Sequence, residues 1–387
     1  MLRIAHAIES VDPRSGGTSG AFCSLVRAIG LSDQLEVRAF ASGEPAEPLA
    51  GLETTSPAGV LRPGGLASES LPKLRSFEPH VVHLHGLFSA DLVAIAKQAR
   101  QLGARTVWQP HGMLVRRAYM RGRLKKALFA RLGLGRELAS AGCMLYCTPY
   151  EQEHSAWHRG AARARHEIVP LPLDLPTGGS LDTLDHLALR EEGRQRLGIG
   201  DRPVVGFLGR LHPVKRVELV LNAFACARES RPTLELAILG DGEPGYTDQL
   251  RAHAAGLGVG ASVRWLGWIK PSDRWALLAG VDALVVASMF ENFGYVAPEA
   301  MAVGTPVAIT SNLAMSETVD RLDAGSSRSE VPEDLARGIA EALDRSRAGV
   351  AERGRGWIEQ ELSASAVSNR LESLYATLAQ PANGEPS

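Results

Sequence analysis

The sequence predicts an α/β protein of two doubly wound domains, each a mostly parallel sheet with helices on both faces. Three observations carry that expectation. The chain has 387 residues, long for one core, and two domains of roughly 150–200 residues are the ordinary outcome. Apolar runs of strand length alternate with helical patterns in both halves. The motifs that carry chemistry stand directly after strands, where sheets of this kind bind ligands.

In the first half the strand-like runs are Leu2–Ile8, Val37–Phe40, Val81–His85, Thr106–Trp108, Met144–Cys147 and Glu167–Val169. Helical patterns fill Gly20–Gly30, Ala90–Leu102 and Leu124–Leu138. The second half repeats the scheme with Val204–Leu208, Leu234–Leu239, Val263–Leu266, Ala283–Val286 and Val307–Ile309. A helix from Val217 places Val217, Val220, Leu221 and Phe224 on one face, at i, i+3, i+4 and i+7. Between the halves, Pro176, Gly178 and Gly179 and then a charged helical stretch make up a linker, and Trp357–Leu378 reads as a last amphipathic helix. The expected layout is a first domain over 1–172, a linker over 173–200, a second domain over 201–355, a returning helix over 356–379 and a disordered tail over 380–387.

Composition excludes some classes. Basic and acidic residues nearly cancel, 42 against 43, so charge gives no sign of nucleic-acid binding. His6 and Glu9 interrupt the apolar start, which argues against a signal peptide. No run of about 18 apolar residues is present to span a membrane. Cys23, Cys143, Cys147 and Cys226 form no C-x-x-C pair and read as reduced thiols of a cytoplasmic protein.

Leu239-Gly-Asp-Gly-Glu-Pro-Gly245 contains G-x-G-x-x-G after a strand, and an NAD-dependent oxidoreductase is the rival reading it suggests. A dinucleotide site would also need an acidic residue ending the next strand, and Leu266-Gly-Trp-Ile-Lys270 supplies none. Gly209-Arg-Leu-His-Pro-Val-Lys215 follows the first strand of the second half, and Pro213 suits a helix start. Arg210 and Lys215 beside free backbone amides would make an anion site. Glu291 stands in the loop after Ala283–Ala287, and Glu299 in the first turn of a helix over Tyr295–Val303. A first-turn Glu also stabilises the helix dipole, by about 0.3–1 kcal/mol. Gly294 lets the backbone approach a ligand closely. Cations for phosphates and carboxylates for sugar hydroxyls, on neighbouring strand ends, suit a ligand that carries both.

These segments resemble the retaining, GT-B-fold glycosyltransferases of family 4, which have two Rossmann-like domains facing a cleft. Glu291 to Glu299 is similar to the family's E-x7-E, and Gly209-Arg210 with Lys215 to its G-R-x4-K. Ser15-Gly-Gly-Thr-Ser-Gly20 resembles its glycine loop, and Val82-His-Leu-His-Gly86 and Gln109-Pro-His-Gly-Met113 its acceptor-side histidine segments. The resemblance implies a nucleotide-sugar donor and a glycan or lipid-linked acceptor, as in the synthesis of surface polysaccharide. Glu299 would hold the ribose, Arg210 and Lys215 the diphosphate, and Glu291 the donor sugar. Asn292, Phe293, Gly294 and Tyr295 would bring amides to the phosphates. Gly16 and Gly17 would let the first domain come close to them. His111 would line the reaction centre, with His85 on the acceptor side. No cofactor or metal is implied, and no DxD is present. The sequence departs from the family at Arg216, where a Gly often follows the Lys, and at Pro170-Leu-Pro-Leu-Asp174. A non-catalytic nucleotide-binding protein on the same scaffold is the other rival.

Two further stretches raise expectations. His154-x3-His158, beside Glu151 and Glu153, has zinc-like spacing but lacks further ligands, and reads as an exposed helix face. The basic residues over 116–136 suggest a solvated face or peripheral contact with an anionic membrane.

Overall fold

The structure, a computed structural model, describes every residue except 13–16, 46–48, 56–64, 121, 156–161, 163, 174–184 and 381–387. Gly16 of the glycine loop, His158 and the expected tail beyond Gln380 therefore lie outside the described residues. The chain divides into two compact units, Met1–Asp174 with Glu361–Ser387, and Leu175–Gln360.

The first unit runs β1 (Leu2–Ser10), α1 (Gly17–Ile29), β2 (Leu35–Ser42), β3 (Leu52–Thr55), α2 (Gly65–Phe77), β4 (Val81–His85), α3 (Ala90–Gln101) and β5 (Arg105–Gln109). It continues with α4 (Arg116–Met120), α5 (Arg123–Phe129), α6 (Gly135–Ala139), β6 (Cys143–Tyr146), α7 (Pro149–Ser155) and β7 (Arg165–Ile168). The seven strands pair in the order β3-β2-β1-β4-β5-β6-β7, all in parallel. Strands buried on both faces read as unbroken apolar runs, which is why most were legible.

The second unit contains α8 (His186–Leu197), β8 (Val204–Leu208), α9 (Val217–Ser230), β9 (Glu235–Leu239), α10 (Pro244–Gly256), β10 (Val263–Gly267), α11 (Arg274–Gly280) and β11 (Ala283–Val286). It continues with α12 (Val296–Ala302), β12 (Val307–Thr310), α13 (Ser316–Arg321), β13 (Gly325–Arg328), α14 (Pro332–Leu343) and α15 (Arg347–Glu361). Its six parallel strands follow the order β10-β9-β8-β11-β12-β13. The last helix, α16 (Ala364–Ala379), belongs to the first unit.

Four expectations change. Residues 173–200 are not all linker, because they include α8, whose Arg190 and Arg194 both reach Asp282 of the second unit. Backbones pack so closely there that a Cβ on Gly193 would lie 1.8 Å from the Ala276 carbonyl oxygen. The helix expected over 124–138 breaks into α5, a π turn over Ala130–Leu134 and α6, because Gly133 leaves helical geometry at φ 151°. The returning segment is two helices, and the second starts where the Ser363 hydroxyl caps the Ala366 N–H at 3.2 Å. Strand β13 has no apolar run to announce it. It forms because Gly325 lets the chain come against β12, where a Cβ would lie 1.9 Å from the Val307 oxygen.

Candidate functional site

In the second unit the chain adds β9 and β10 on one side of β8, then crosses to add β11 on the other. The carboxyl ends of β8 and β11 therefore flank a topological switch point, where doubly wound sheets open a crevice. The motif Gly209–Lys215 leaves β8 at that point, and Ser288–Tyr295 leaves β11.

Their side chains meet. Lys215 Nζ lies 2.5 Å from Glu291 Oε1, and the Ser288 hydroxyl donates to the same oxygen at 2.6 Å. The Met289 N–H donates to the Val214 carbonyl at 2.8 Å, joining the two loops through their backbones. Asn312, beyond β12, donates to the Ser288 and Met289 carbonyls at 3.3 and 3.0 Å. Arg210 is exposed at the foot of the same loop.

Pro213 does not start α9. It opens one 3-10 turn over Pro213–Lys215, with the His212 ring capping the Val214 N–H. Arg216 then turns into the left-handed region at φ 53°, ψ 48°, and α9 starts after it. This is the position at which the resemblance favours Gly, and glycine adopts that conformation without a Cβ clash. Here Arg216 is paired with Glu330.

Glu299 is buried in the first turn of α12, as expected, and Arg274 of α11 pairs with it at 3.1 Å. Phe293 is buried and stacks on Tyr295, with ring centroids 4.5 Å apart. Gly294, at φ 86°, turns the loop towards α12. Sequence reasoning missed Ser288, Asn312 and Arg274, which no motif or spacing marks.

The glycines that suggested NAD have another explanation. A Cβ on Gly240 would lie 2.0 Å from the Gly209 oxygen, and one on Gly242 would lie 2.1 Å from the Leu211 oxygen. The Leu211 N–H donates to the Asp241 carbonyl at 2.7 Å. The glycines let this loop pack against Gly209–Leu211, and the oxidoreductase reading loses its ground.

In the first unit, His6 of β1 and His83 and His85 of β4 are buried on one sheet face. His6 Nδ1 is 3.0 Å from His85 Nε2, and His85 Nδ1 is 3.1 Å from His111 Nε2. Tyr375 of α16 joins the group, its hydroxyl 2.8 Å from His83 Nδ1 and 3.3 Å from His6 Nε2. Burial pushes His6 and His111 down to about 3 and takes His83 and His85 well below the ordinary value, so the rings are neutral at pH 7. The neutral rings of His6, His83 and His85 bring ligand atoms within 4.8 Å of one another, close enough to hold a metal ion. The sequence had marked His85 and His111 but neither His6 nor Tyr375 as part of a site.

His111 sits in a left-handed turn at φ 51°, followed by Gly112 at φ 79°. The buried Glu151 carboxylate fixes that turn, accepting from the Gly112 N–H at 2.5 Å and the Cys147 N–H at 2.8 Å. Glu151 is thus committed to backbone amides. His154 stacks on Tyr150 at 3.9 Å and bonds the Tyr150 carbonyl. Gly17 begins α1, beyond the end of β1.

Two parallel doubly wound sheets, with cations and carboxylates gathered at a switch point, define the GT-B class of two-domain proteins. Residues 190–358 match the family described as Glycosyl transferases group 1, and residues 22–172 match the Glycosyl transferase 4-like domain. Together the two matches take in most of the chain, which thus carries a domain of each of these glycosyltransferase families on a GT-B fold. A D-inositol 3-phosphate glycosyltransferase of Salinispora arenicola (strain CNS-205) is 31% identical over 271 residues, 63% of this chain and 59% of that one. The match thus spans about three fifths of that relative's length. The structure of Anabaena Alr3699/HepE in complex with UDP and glucose superposes with a TM-score of 0.74 at 19% identity, over 97% of this chain and 100% of that one. Sucrose-phosphate synthase from Thermosynechococcus elongatus gives 0.73 at 20% identity, over 98% and 99%. At these identities the two structures establish the fold.

Proposed function

We propose that the protein is a retaining glycosyltransferase of the E-x7-E type, moving a sugar from a UDP- or GDP-sugar to a hydroxyl acceptor. The observation that carries this reading is the Lys215–Glu291 contact, which joins the two family motifs at the switch point of the second unit. Breaking the bond between the anomeric carbon and the phosphate oxygen builds negative charge on the departing diphosphate. Arg210, Lys215 and the amides of Asn292–Tyr295 stabilise that charge, and Glu299 holds the ribose hydroxyls. Removing one such donor typically costs about 10²–10³ in rate. Glu291 accepts from the donor sugar while orienting Lys215, and His111 with His85 serves the acceptor side. In this reading the charge compensation comes from side chains and amides, without a metal ion.

The acceptor we propose is a glycan or a lipid-linked glycan, as in surface polysaccharide synthesis. One observation supports work at a membrane. Leu124, Leu128 and Leu132 are 79%, 59% and 77% exposed, among exposed Arg123, Lys125, Arg131 and Arg136. Lys126 does not share that surface, because its ammonium bonds the Ala118 carbonyl at 2.7 Å and lies over the Phe88 ring. Apolar side chains among cations suit an anionic lipid surface. The names of curated relatives favour a second reading, a phosphorylated polyol as acceptor.

The test is nucleoside diphosphate release from a panel of UDP-, GDP- and ADP-sugars with EDTA present, with and without each acceptor class. Release from one donor supports the reading. Saturable nucleotide binding without release under any acceptor would favour a non-catalytic binding protein.

A further inference from the structure

The buried histidines of the first unit do more than fill its core. From His111 the contacts run to His85, His6, the Tyr375 hydroxyl and His83, each link between 2.8 and 3.3 Å. All four rings are neutral, so each carries one N–H and one bare nitrogen. Every link holds a single proton. With the Tyr375 hydroxyl proton held in one of its two links rather than left without an acceptor, fixing the direction of one link fixes all the others, and two arrangements fit. In one, all four histidines are protonated on Nε2; in the other, all four on Nδ1.

The far end of the chain decides between them. Among the described residues, His83 Nε2 and Gln109 Oε1 are both buried side-chain atoms without a hydrogen-bond partner. His83 pairs with Val107, and His85 with Gln109, in the β4–β5 register, so His83 and Gln109 are diagonal neighbours on one sheet face. The Gln109 amide is oriented by its nitrogen, which donates to Val169 O at 3.5 Å and Cys147 Sγ at 3.4 Å. Its oxygen remains to accept, and the Gln109 side chain is the one influence that raises the His83 pKa, as an acceptor for an imidazole N–H does. Two orphaned polar atoms on neighbouring side chains can satisfy one another only when His83 Nε2 carries the proton, whereas a bare Nε2 would leave two buried acceptors with no donor between them.

We propose that Gln109, His83, Tyr375, His6 and His85 are positioning residues that lock His111 in its Nε2–H tautomer, with bare Nδ1 at the open end of the chain. The value of this to catalysis rests on the role proposed for His111 above; the tautomer lock itself does not. Tyr375 comes from α16, more than 260 residues along the chain from His111, so the last helix of the protein sets which nitrogen of His111 can accept a proton or a hydrogen bond.

A metal ion is the competing occupant, since three of these histidines are close enough to ligate one. Their nitrogens already bond one another, and among the described residues no carboxylate joins the group to offset a buried dication. We therefore favour protons over metal.

The experiment is long-range 1H–15N correlation of the full chain labelled with 15N-histidine, in EDTA, because the two neutral tautomers differ in the shifts of both ring nitrogens. The expected result in the unaltered protein is Nε2–H at His6, His83, His85 and His111 together. In Tyr375→Phe, His6 would lose its acceptor; His6, His85 and His111 should move to Nδ1–H while His83 stays. In Gln109→Leu all four should move. A mixed pattern in the unaltered protein overturns the proposal without any variant. So does an unchanged His111 in either folded variant, or, in buffer without EDTA, tight one-to-one zinc uptake that abolishes the ring N–H signals.

Discussion

Lys215 and Glu291 touch at 2.5 Å although 76 residues separate them, and the contact closes the switch point between β8 and β11. Both side chains are partly buried, and the Ser288 hydroxyl holds the same carboxylate oxygen. Glu291 thereby fixes the Lys215 ammonium beside the loop it shares with Arg210. An anion arriving there meets an ammonium whose position is already set, and preorganisation of this kind separates rate from binding.

The two partners should therefore fail differently. Glu291→Gln keeps a polar group for Ser288 and Lys215. It should lower kcat by about 10- to 100-fold while changing nucleoside diphosphate affinity less than about threefold. Lys215→Met should weaken nucleoside diphosphate binding by about tenfold or more. Titration calorimetry with steady-state kinetics measures both. Equal losses of affinity in the two variants would refute the division of roles.

Arg216 supplies a test of backbone strain. It sits at φ 53°, where a Cβ costs about 1–2 kcal/mol, and its side chain reaches Glu330. Arg216→Ala keeps the strain and loses the partner; Arg216→Gly loses both. The Gly variant should be the more stable of the two by about 1 kcal/mol in urea denaturation. An Ala variant as stable as Gly would show that the position carries no strain.

Acid should act on the first unit. His6 and His111 are held at about 3 and His83 and His85 well below 6.5, so all are neutral when folded and take up protons when unfolded. The unfolded state binds more protons below the unfolded value, so stability is complete above about pH 6.5 and is lost as pH falls towards 3. The slope is about 1.4 kcal/mol per pH unit for each histidine. The thermal midpoint should fall between pH about 7.5 and 5, and fall less in a folded His6→Gln variant. A midpoint unchanged over that range would contradict the burial of neutral rings.

The exposed leucines give a prediction about lipid. Replacing Leu124, Leu128 and Leu132 with Ser should reduce co-sedimentation with anionic vesicles by about tenfold or more. Neutralising Arg123, Lys125 and Arg131 should do the same and remove the salt dependence. Binding unchanged in both variants would leave this surface as a solvated face.

Much of the fold was legible because parallel strands buried on both faces leave apolar runs, as Val204–Leu208 and Ala283–Val286 do. Strand β13 was not, because Gly325-Ser-Ser-Arg328 is held by close approach rather than by its side chains. Glu299 and Lys215 were legible through motif spacing after strands. Arg274 and Tyr375 were not, since each meets its partner through tertiary packing that leaves no local pattern. The loop at Gly240 misled because close backbone packing and phosphate binding both require glycine at the same place.

On the function proposed above, the loops after β8 and β11 form one nucleotide-sugar site. Titration calorimetry of UDP, GDP and ADP into the unaltered protein, Lys215→Met and Glu299→Ala tests it most directly. The expected result is saturable binding of one nucleotide by the unaltered protein, weakened about tenfold or more in both variants while their thermal midpoints show them folded. Folded protein that binds none of the three, or binds one equally well without Lys215 and Glu299, would contradict it.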